Sequence, residues 1–116
     1  MKIERRDVNA RRSRLVIYNG MCFLSGQFSD SGGDIARQTT ETLARIDDLL
    51  ARSGTDKSRL LTAQIWLKDM KDFQAMNAVW DAWVVPGSPP TRCCGQVEMA
   101  DPKMRIEIVV TAAVDI

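Results

Sequence analysis

Hydrophobic residues recur along this chain with two different periods, and the switches between them divide it into elements. Two short apolar runs, "SRLVIYNG" (13–20) and "MCFLSGQFS" (21–29), meet at Asn19-Gly20. Asn-Gly between β-prone runs predicts a tight hairpin, because both residues accept positive φ. "KIERR" ahead of them predicts a short, solvated first strand, and "DSGGD" (30–34) predicts a loop. The period then becomes helical. Ile35, Leu43, Ile46, Leu49 and Leu50 fall on one side, with Arg37, Glu41, Arg45, Asp48 and Arg52 largely elsewhere. Asp34 is the expected N-cap of this helix and Gly54 its stop.

"SRLLTAQIWLKD" (58–69), carrying Leu61, Ile65 and Leu67, predicts a well-covered strand. A second helix is expected from near Asp69 or Asp72, with Phe73, Met76, Trp80 and Trp83 as its stripe and Pro86-Gly87 as its end. "PPTRCCGQVEM" (89–99) predicts an extended strand, "ADPK" (100–103) a turn, and "MRIEIVVTAAVDI" (104–116) the last strand. The order is β-β-β-α-β-α-β-β, and each helix is amphipathic on one side. That combination predicts an α+β fold, a single mixed sheet with two helices on one face. A length of 116 residues fits a single domain over 1–116.

Composition adds mainly exclusions. Hydrophobic residues make up 45% and charged residues 27%, as in ordinary globular proteins. A net charge of +1 supplies no global field for nucleic acid or an anionic membrane, so neither is expected as a partner. No apolar run approaches the ~18 residues a membrane span needs, and the start lacks the apolar core of a secretory signal. Three cysteines, Cys22, Cys93 and Cys94, form no disulfide framework, which points to a cytoplasmic location. Histidine is absent, which excludes Ser-His-Asp and Cys-His triads and most catalytic zinc sites.

Candidate chemistry lies near the C-terminus. Alternation puts Arg92, Cys94, Gln96 and Glu98 on one side of their strand, and Arg105, Glu107, Val109 and Thr111 on one side of the last. Direct pairing across the turn would set Glu98 against Arg105 and Gln96 against Glu107. Arg92 and Glu107 would then share a face roughly 13 Å apart, too far for one tight pair in one chain. They would suit a cleft completed by a second chain. Arg92 alone reads more simply as a strand-end arginine reaching water. Glu107 is more pointed, because a carboxylate inside "RIEIVV" requires a partner or a wet pocket.

Asn77 lies near the apolar stripe of the second helix, where its amide bonds either locally or to a ligand. Ser25 ends a strand, where a hydroxyl and backbone amides meet either a ligand or an ordinary turn. Cys22 and Cys93 are expected to be buried small hydrophobes, while Arg92 beside Cys94 would lower that thiol's pKa.

Four segments, "FLSGQ" (23–27), "DFQAMNAVWDAW" (72–83), "PPTRCCGQVEM" and "RIEIVVTAAV" (105–114), in this order and spacing, resemble the RidA/YjgF family of reactive-intermediate deaminases. The likeness runs from about Ser13 to the C-terminus and leans to the YoaB-like branch. It implies a chorismate-mutase-like α+β fold and a homotrimer with a central barrel and clefts between subunits. It also implies that strand 58–68 lies between the last two strands. By resemblance, Arg92 holds a substrate carboxylate, Glu107 lies at the reacting centre, and Ser25, Asn77 and Cys94 line or neighbour the cleft. The implied reaction is cofactor-free and metal-free hydrolysis of enamines or imines, such as 2-aminoacrylate, to 2-keto acids and ammonia. The archetype's tyrosine before the first long strand is missing here, where the chain reads "NARRSR". Trp80 stands where the archetype has another tyrosine. The alternatives are a non-catalytic trimer that binds keto acids, and an endoribonuclease or translation inhibitor.

Overall fold

The computed structural model describes residues 2–115. Eight main elements follow in order: β1 (Glu4–Val8), β2 (Ser13–Tyr18), β3 (Met21–Leu24), α1 (Ile35–Arg52), β4 (Leu60–Leu67), α2 (Phe73–Trp83), β5 (Thr91–Gln96) and β6 (Ile106–Ala113). Short 3₁₀ turns at Lys57–Arg59 and Met70–Asp72 lead into β4 and α2. The strands form one six-stranded sheet in the order β1-β2-β3-β6-β4-β5. Only the β4–β5 pair is parallel. The expected α+β architecture with a mixed sheet is therefore present. No helix among the described residues is long and apolar enough to cross a membrane.

Local chemistry fixes the element ends. Tyr18 pairs with Met21 across Asn19 (φ 53°) and Gly20 (φ 78°), both in the left-handed region, as a two-residue hairpin loop requires. Asp34 caps α1 by accepting the Arg37 N–H at 2.8 Å. At the other end Gly54 takes φ +84°, which lets Gly54 N–H reach Ala51 O and Thr55 N–H reach Leu50 O. These two bonds satisfy carbonyls that the helix leaves open.

The core is a single layer between the helices and one face of the sheet. Leu43, Ile46, Leu49 and Leu50 of α1 and Met76 and Trp80 of α2 pack against Ile65, Leu67, Ile106, Ile108 and Val110. Each such side chain contributes about 1.5–3 kcal/mol through burial. β6 alternates strictly, with Ile106, Ile108, Val110 and Ala112 buried and Glu107, Val109 and Thr111 facing away. β4 is covered on one side only. A register shift between Leu60 and Thr62 turns Leu60 and Ala63 inward and leaves Leu61 38% exposed. The well-covered strand expected at 58–69 is thus half-covered. β1 is exposed throughout, as its charge predicts.

The expected pairing of the last two strands is overturned. β4 inserts between them: it runs parallel to β5, with Ala63 beside Arg92 and Trp66 beside Gly95, and antiparallel to β6, with Trp66 beside Glu107. β4 carries more inward apolar residues than β5, so the central place buries more surface. Val97–Met99 lie beyond β5, and Met104 and Arg105 precede β6, so neither strand is as long as its apolar run. The last residue of the expected final strand, Ile116, lies outside the described residues.

Candidate functional site

Arg92 sits on β5, at the edge of the sheet. Its neighbour in the ladder, Ala63, is buried beneath the helices, so Arg92 projects on the helix side. There its guanidinium carbon lies 5.5 Å from the centroid of the Trp80 ring and 6.0 Å from that of Phe73. A cation held against two aromatic faces is both stabilised and oriented. Trp80 is itself fixed by burial and by Trp83, whose ring centroid is 5.3 Å away. Among the described residues no carboxylate pairs with Arg92. Its planar set of donors remains open to a ligand.

Asn77 stands between Phe73 and Trp80 on the same side of α2. Its Oδ1 is buried and has no hydrogen-bond partner among the described residues. A buried acceptor left empty is costly, so the position is suited to a donor supplied from outside the chain. Cys94 shares the Arg92 side of β5 and is half-buried. Burial pushes its thiol pKa up and outweighs the opposing pull of the Arg92 charge. The expected lowering is therefore reversed, and Cys94 is a neutral wall residue rather than a thiolate. Cys93 points the other way and is exposed, against the expectation of burial, because an edge strand on the uncovered face has nothing above it.

Glu107 belongs to the opposite face. Its neighbours Ile106 and Ile108 are buried under the helices, so Glu107 projects from the uncovered side beside Trp66. Arg92 and Glu107 therefore do not share a face within one chain, as the hairpin register implied. Their backbones are two strands apart across the sheet and three residues apart along β4, roughly 14 Å by standard spacings.

The Glu107 side chain lies against Gly26. A methyl group at Gly26 would overlap Glu107 Oε2 and stand 2.9 Å from its Cδ. Glycine at this point makes room for the carboxylate. The next residue, Gln27, continues the sheet by exchanging two 2.9 Å backbone bonds with Ile108. Its side-chain Nε2 donates to Ser25 O at 3.0 Å and to Ser25 Oγ at 3.2 Å. Ser25 Oγ is thus an acceptor toward Gln27, which leaves its own proton for another acceptor.

Two separate half-sites result. One is Arg92, Asn77, Trp80 and Cys94 on the helix side, and the other is Ser25, Gly26 and Gln27 around Glu107, whose carboxylate projects from the uncovered side. Sequence reasoning missed Gly26, Gln27 and the Phe73 ring. The Ser-Gly-Gln tripeptide closing an apolar strand was the available signal for the first two. Among the described residues no cluster of Cys, Asp and Glu side chains is arranged to hold a metal ion.

The pattern of the family described as "Endoribonuclease L-PSP" matches residues 3–114. The chain is 45% identical over 114 residues to the RutC family protein YoaB of Escherichia coli, covering 98% of this chain and 100% of that protein. It is 43% identical over 114 residues to a RutC family protein of Haemophilus ducreyi, covering 97% of each. A crystal structure of a YjgF-family member from Neisseria meningitidis superposes with a TM-score of 0.96 at 43% identity, over 100% of this chain and 98% of that one.

Proposed function

The chain belongs to the Endoribonuclease L-PSP family, in the YoaB-like branch of the RidA/YjgF proteins, and from that premise we propose that it hydrolyses small imines and enamines. The products are 2-keto acids and ammonia. The observation that carries the reading is Arg92: a guanidinium held on two aromatic rings, beside an unfilled amide acceptor, with no carboxylate of its own. A fork in that state is suited to a substrate carboxylate, through two parallel charge-assisted bonds.

Arg92 and Glu107 act together only if the half-sites come from neighbouring copies. Strand alternation favours such an assembly. The uncovered sheet face presents Met21 and Phe23, 36% and 40% exposed, with Trp66 and Val109 half-buried beside them. In a homotrimer built on that face, Arg92 of one protomer would meet Glu107, Gly26 and Ser25 of the next.

The chemistry asked of such a cleft is modest. Arg92 anchors the carboxylate and so fixes the imine carbon. Glu107 accepts a proton from water as the water oxygen bonds to that carbon and the C=N electron pair moves to nitrogen, and it passes that proton to the nitrogen, which restores the carboxylate. The resulting carbinolamine collapses: Glu107 takes the hydroxyl proton and delivers it to the leaving nitrogen as the C–N bond breaks, so the carbonyl forms and ammonia departs. Asn77 Oδ1 offers an acceptor to the substrate N–H. No strong nucleophile is needed, in keeping with a neutral Cys94 thiol. Ribonuclease activity, named in the family description, has weaker support. A net charge of +1 gives little attraction for a polyanion, and the chain has no histidine to act as acid or base.

The test is ammonia release from freshly generated 2-iminopropionate, monitored with and without protein. Acceleration by wild type and its loss in Arg92→Ala are expected. Equal rates for both proteins would overturn the proposal, and tight binding of 2-ketobutyrate without turnover would favour the keto-acid sensor.

A further inference from the structure

Beside Ser25 and Gly26 lies a concavity of about 250 Å³, lined also by Arg12, Arg14, Gln27, Phe28 and Arg45. Three arginines thus share the lining of one small hollow, and that lining contains no carboxylate. Each is held from one side. Arg12 Nη1 donates to Asp7 O at 2.9 Å, Arg14 Nε pairs with Asp7 Oδ2 at 3.1 Å, and Arg45 bonds Phe28 O and Asp30 Oδ1 at 2.8 and 2.9 Å. Asp7 and Asp30 brace the arginines without entering the hollow, and Arg12 has no acid partner among the described residues. Arg12 and Arg14 each engage a single nitrogen, so most of their donors remain unused.

The hollow and the reacting group meet at Gly26, which lines the one and abuts the other. Its wall includes Gly26, whose open side is filled by the Glu107 carboxylate, and Ser25, whose hydroxyl proton is uncommitted. A substrate anchored by its first carboxylate, with its imine carbon at Glu107, would send its side chain over Ser25 toward these arginines. We propose that the hollow is a second anion subsite, and that the preferred substrates are imines of amino acids whose side chain ends in a carboxylate. This rests on the imine-hydrolase reading above and specifies its substrate class. The segment "NARRSR" then determines which substrate fits, by supplying cations where a neutral side chain would select a monocarboxylate.

The experiment compares ammonia release from 2-iminosuccinate and 2-iminopropionate, each generated in place by an amino-acid oxidase. Wild type is expected to favour the dicarboxylate in kcat/KM by roughly 10- to 100-fold, the range a charge-assisted anchor supplies. Arg12→Gln and Arg14→Gln should each lower that ratio, and the double variant should bring it near unity. Arg11→Gln, which removes a charge outside the hollow, should leave the ratio unchanged. Circular dichroism and native mass on each variant exclude misfolding as the cause. Hydrolysis of both imines with no preference, or with a preference that Arg12 and Arg14 do not affect, would overturn the subsite while leaving the hydrolase reading intact. Hydrolysis of neither would remove both.

Discussion

Gly26 and Glu107 occupy one another's space: the carboxylate lies where any larger residue at 26 would place its Cβ. Gly26 is not in the left-handed region, so glycine is required here for room rather than for backbone freedom. Gly26→Ala should fold, because the displaced atoms are the end of a flexible side chain. It should nonetheless push the carboxylate off its position. A loss of roughly 100-fold in kcat for imine hydrolysis is expected, since misplacing a catalytic group by about 1 Å costs on that order. KM should change little, because Arg92 is untouched. Steady-state kinetics beside a thermal melt would show an activity loss without a stability loss.

Arg92→Lys tests the fork separately from the charge. Lysine retains the cation and loses both the parallel donors and the flat surface that lies on Trp80 and Phe73. KM should rise by roughly 10-fold, and Arg92→Ala should raise it by a further factor of about 10, as a charged hydrogen bond is removed. Trp80→Leu should mimic part of the lysine effect by loosening the guanidinium. An Arg92→Lys enzyme with wild-type KM would show that charge alone suffices.

Much of this was legible in the sequence, and the failures have physical causes. Asn19-Gly20 and Gly54 act through their own backbone and Asp34 through a side-chain bond to a residue three along, so local chemistry was enough to place them. Arg92, Asn77 and Glu107 were visible as polar groups in apolar settings. The face of Arg92 relative to Glu107 was not visible in the pattern of the residues, because it depends on which strand lies between β5 and β6, and only the family resemblance placed strand 58–68 there. That choice is made by β4, through the surface its inward residues bury, and no pattern within β5 or β6 records it. Cys93 failed for the same reason: its strand reads as apolar but lies at an edge. The arginine hollow was hidden because its members come from the β1–β2 turn, the start of β2, the segment after β3 and the middle of α1.

Glu41 ties the loop before α1 to the helix and should make part of the stability depend on pH. Hydrogen bonds from Ser29 and Ser31, then from Arg37, lower its pKa from 4.5 to about 2. A lowered folded-state pKa means that this stabilisation is complete above 4.5, where the unfolded chain is also ionised, and is lost as pH falls toward about 2. The gap in unfolding midpoint between wild type and Glu41→Gln should therefore be constant at neutral pH and close across that acid range. A gap that stays unchanged down to pH 2 would show that the hydroxyl and Arg37 bonds do not act through the charge.

Phe23 lies on the face that the proposed trimer covers, 40% exposed in the single chain and paired with Thr111. Phe23→Asp places a charge where an assembly would have to bury it. Light scattering should report a trimer for wild type and smaller species for the variant. Imine hydrolysis should fall with assembly, because Arg92 and Glu107 cannot meet within one copy. A monomeric variant with full activity would contradict a site shared between protomers.

Asp72 and Arg105 fasten α2 to the strand that carries Glu107. Asp72 is 5% exposed and takes two bonds from Arg105, at 2.8 Å from Nη2 and 3.2 Å from Nε. Arg105 N–H also donates to the buried Gln38 side chain at 2.8 Å, so the entry to β6 is held on two sides. Removing one partner of a buried pair costs more than the pair is worth, because the other charge is left unsatisfied. The Arg105 side chain is 32% exposed, which softens that penalty through solvent. Asp72→Asn and Arg105→Gln should each lose about 2 kcal/mol in urea unfolding, with the aspartate retained in Arg105→Gln paying more for its burial. The double variant should cost less than the sum, and the shortfall gives the coupling energy. Strict additivity would mean that the contact contributes no interaction energy, and that β6 takes its position from the apolar alternation of Ile106, Ile108 and Val110 alone.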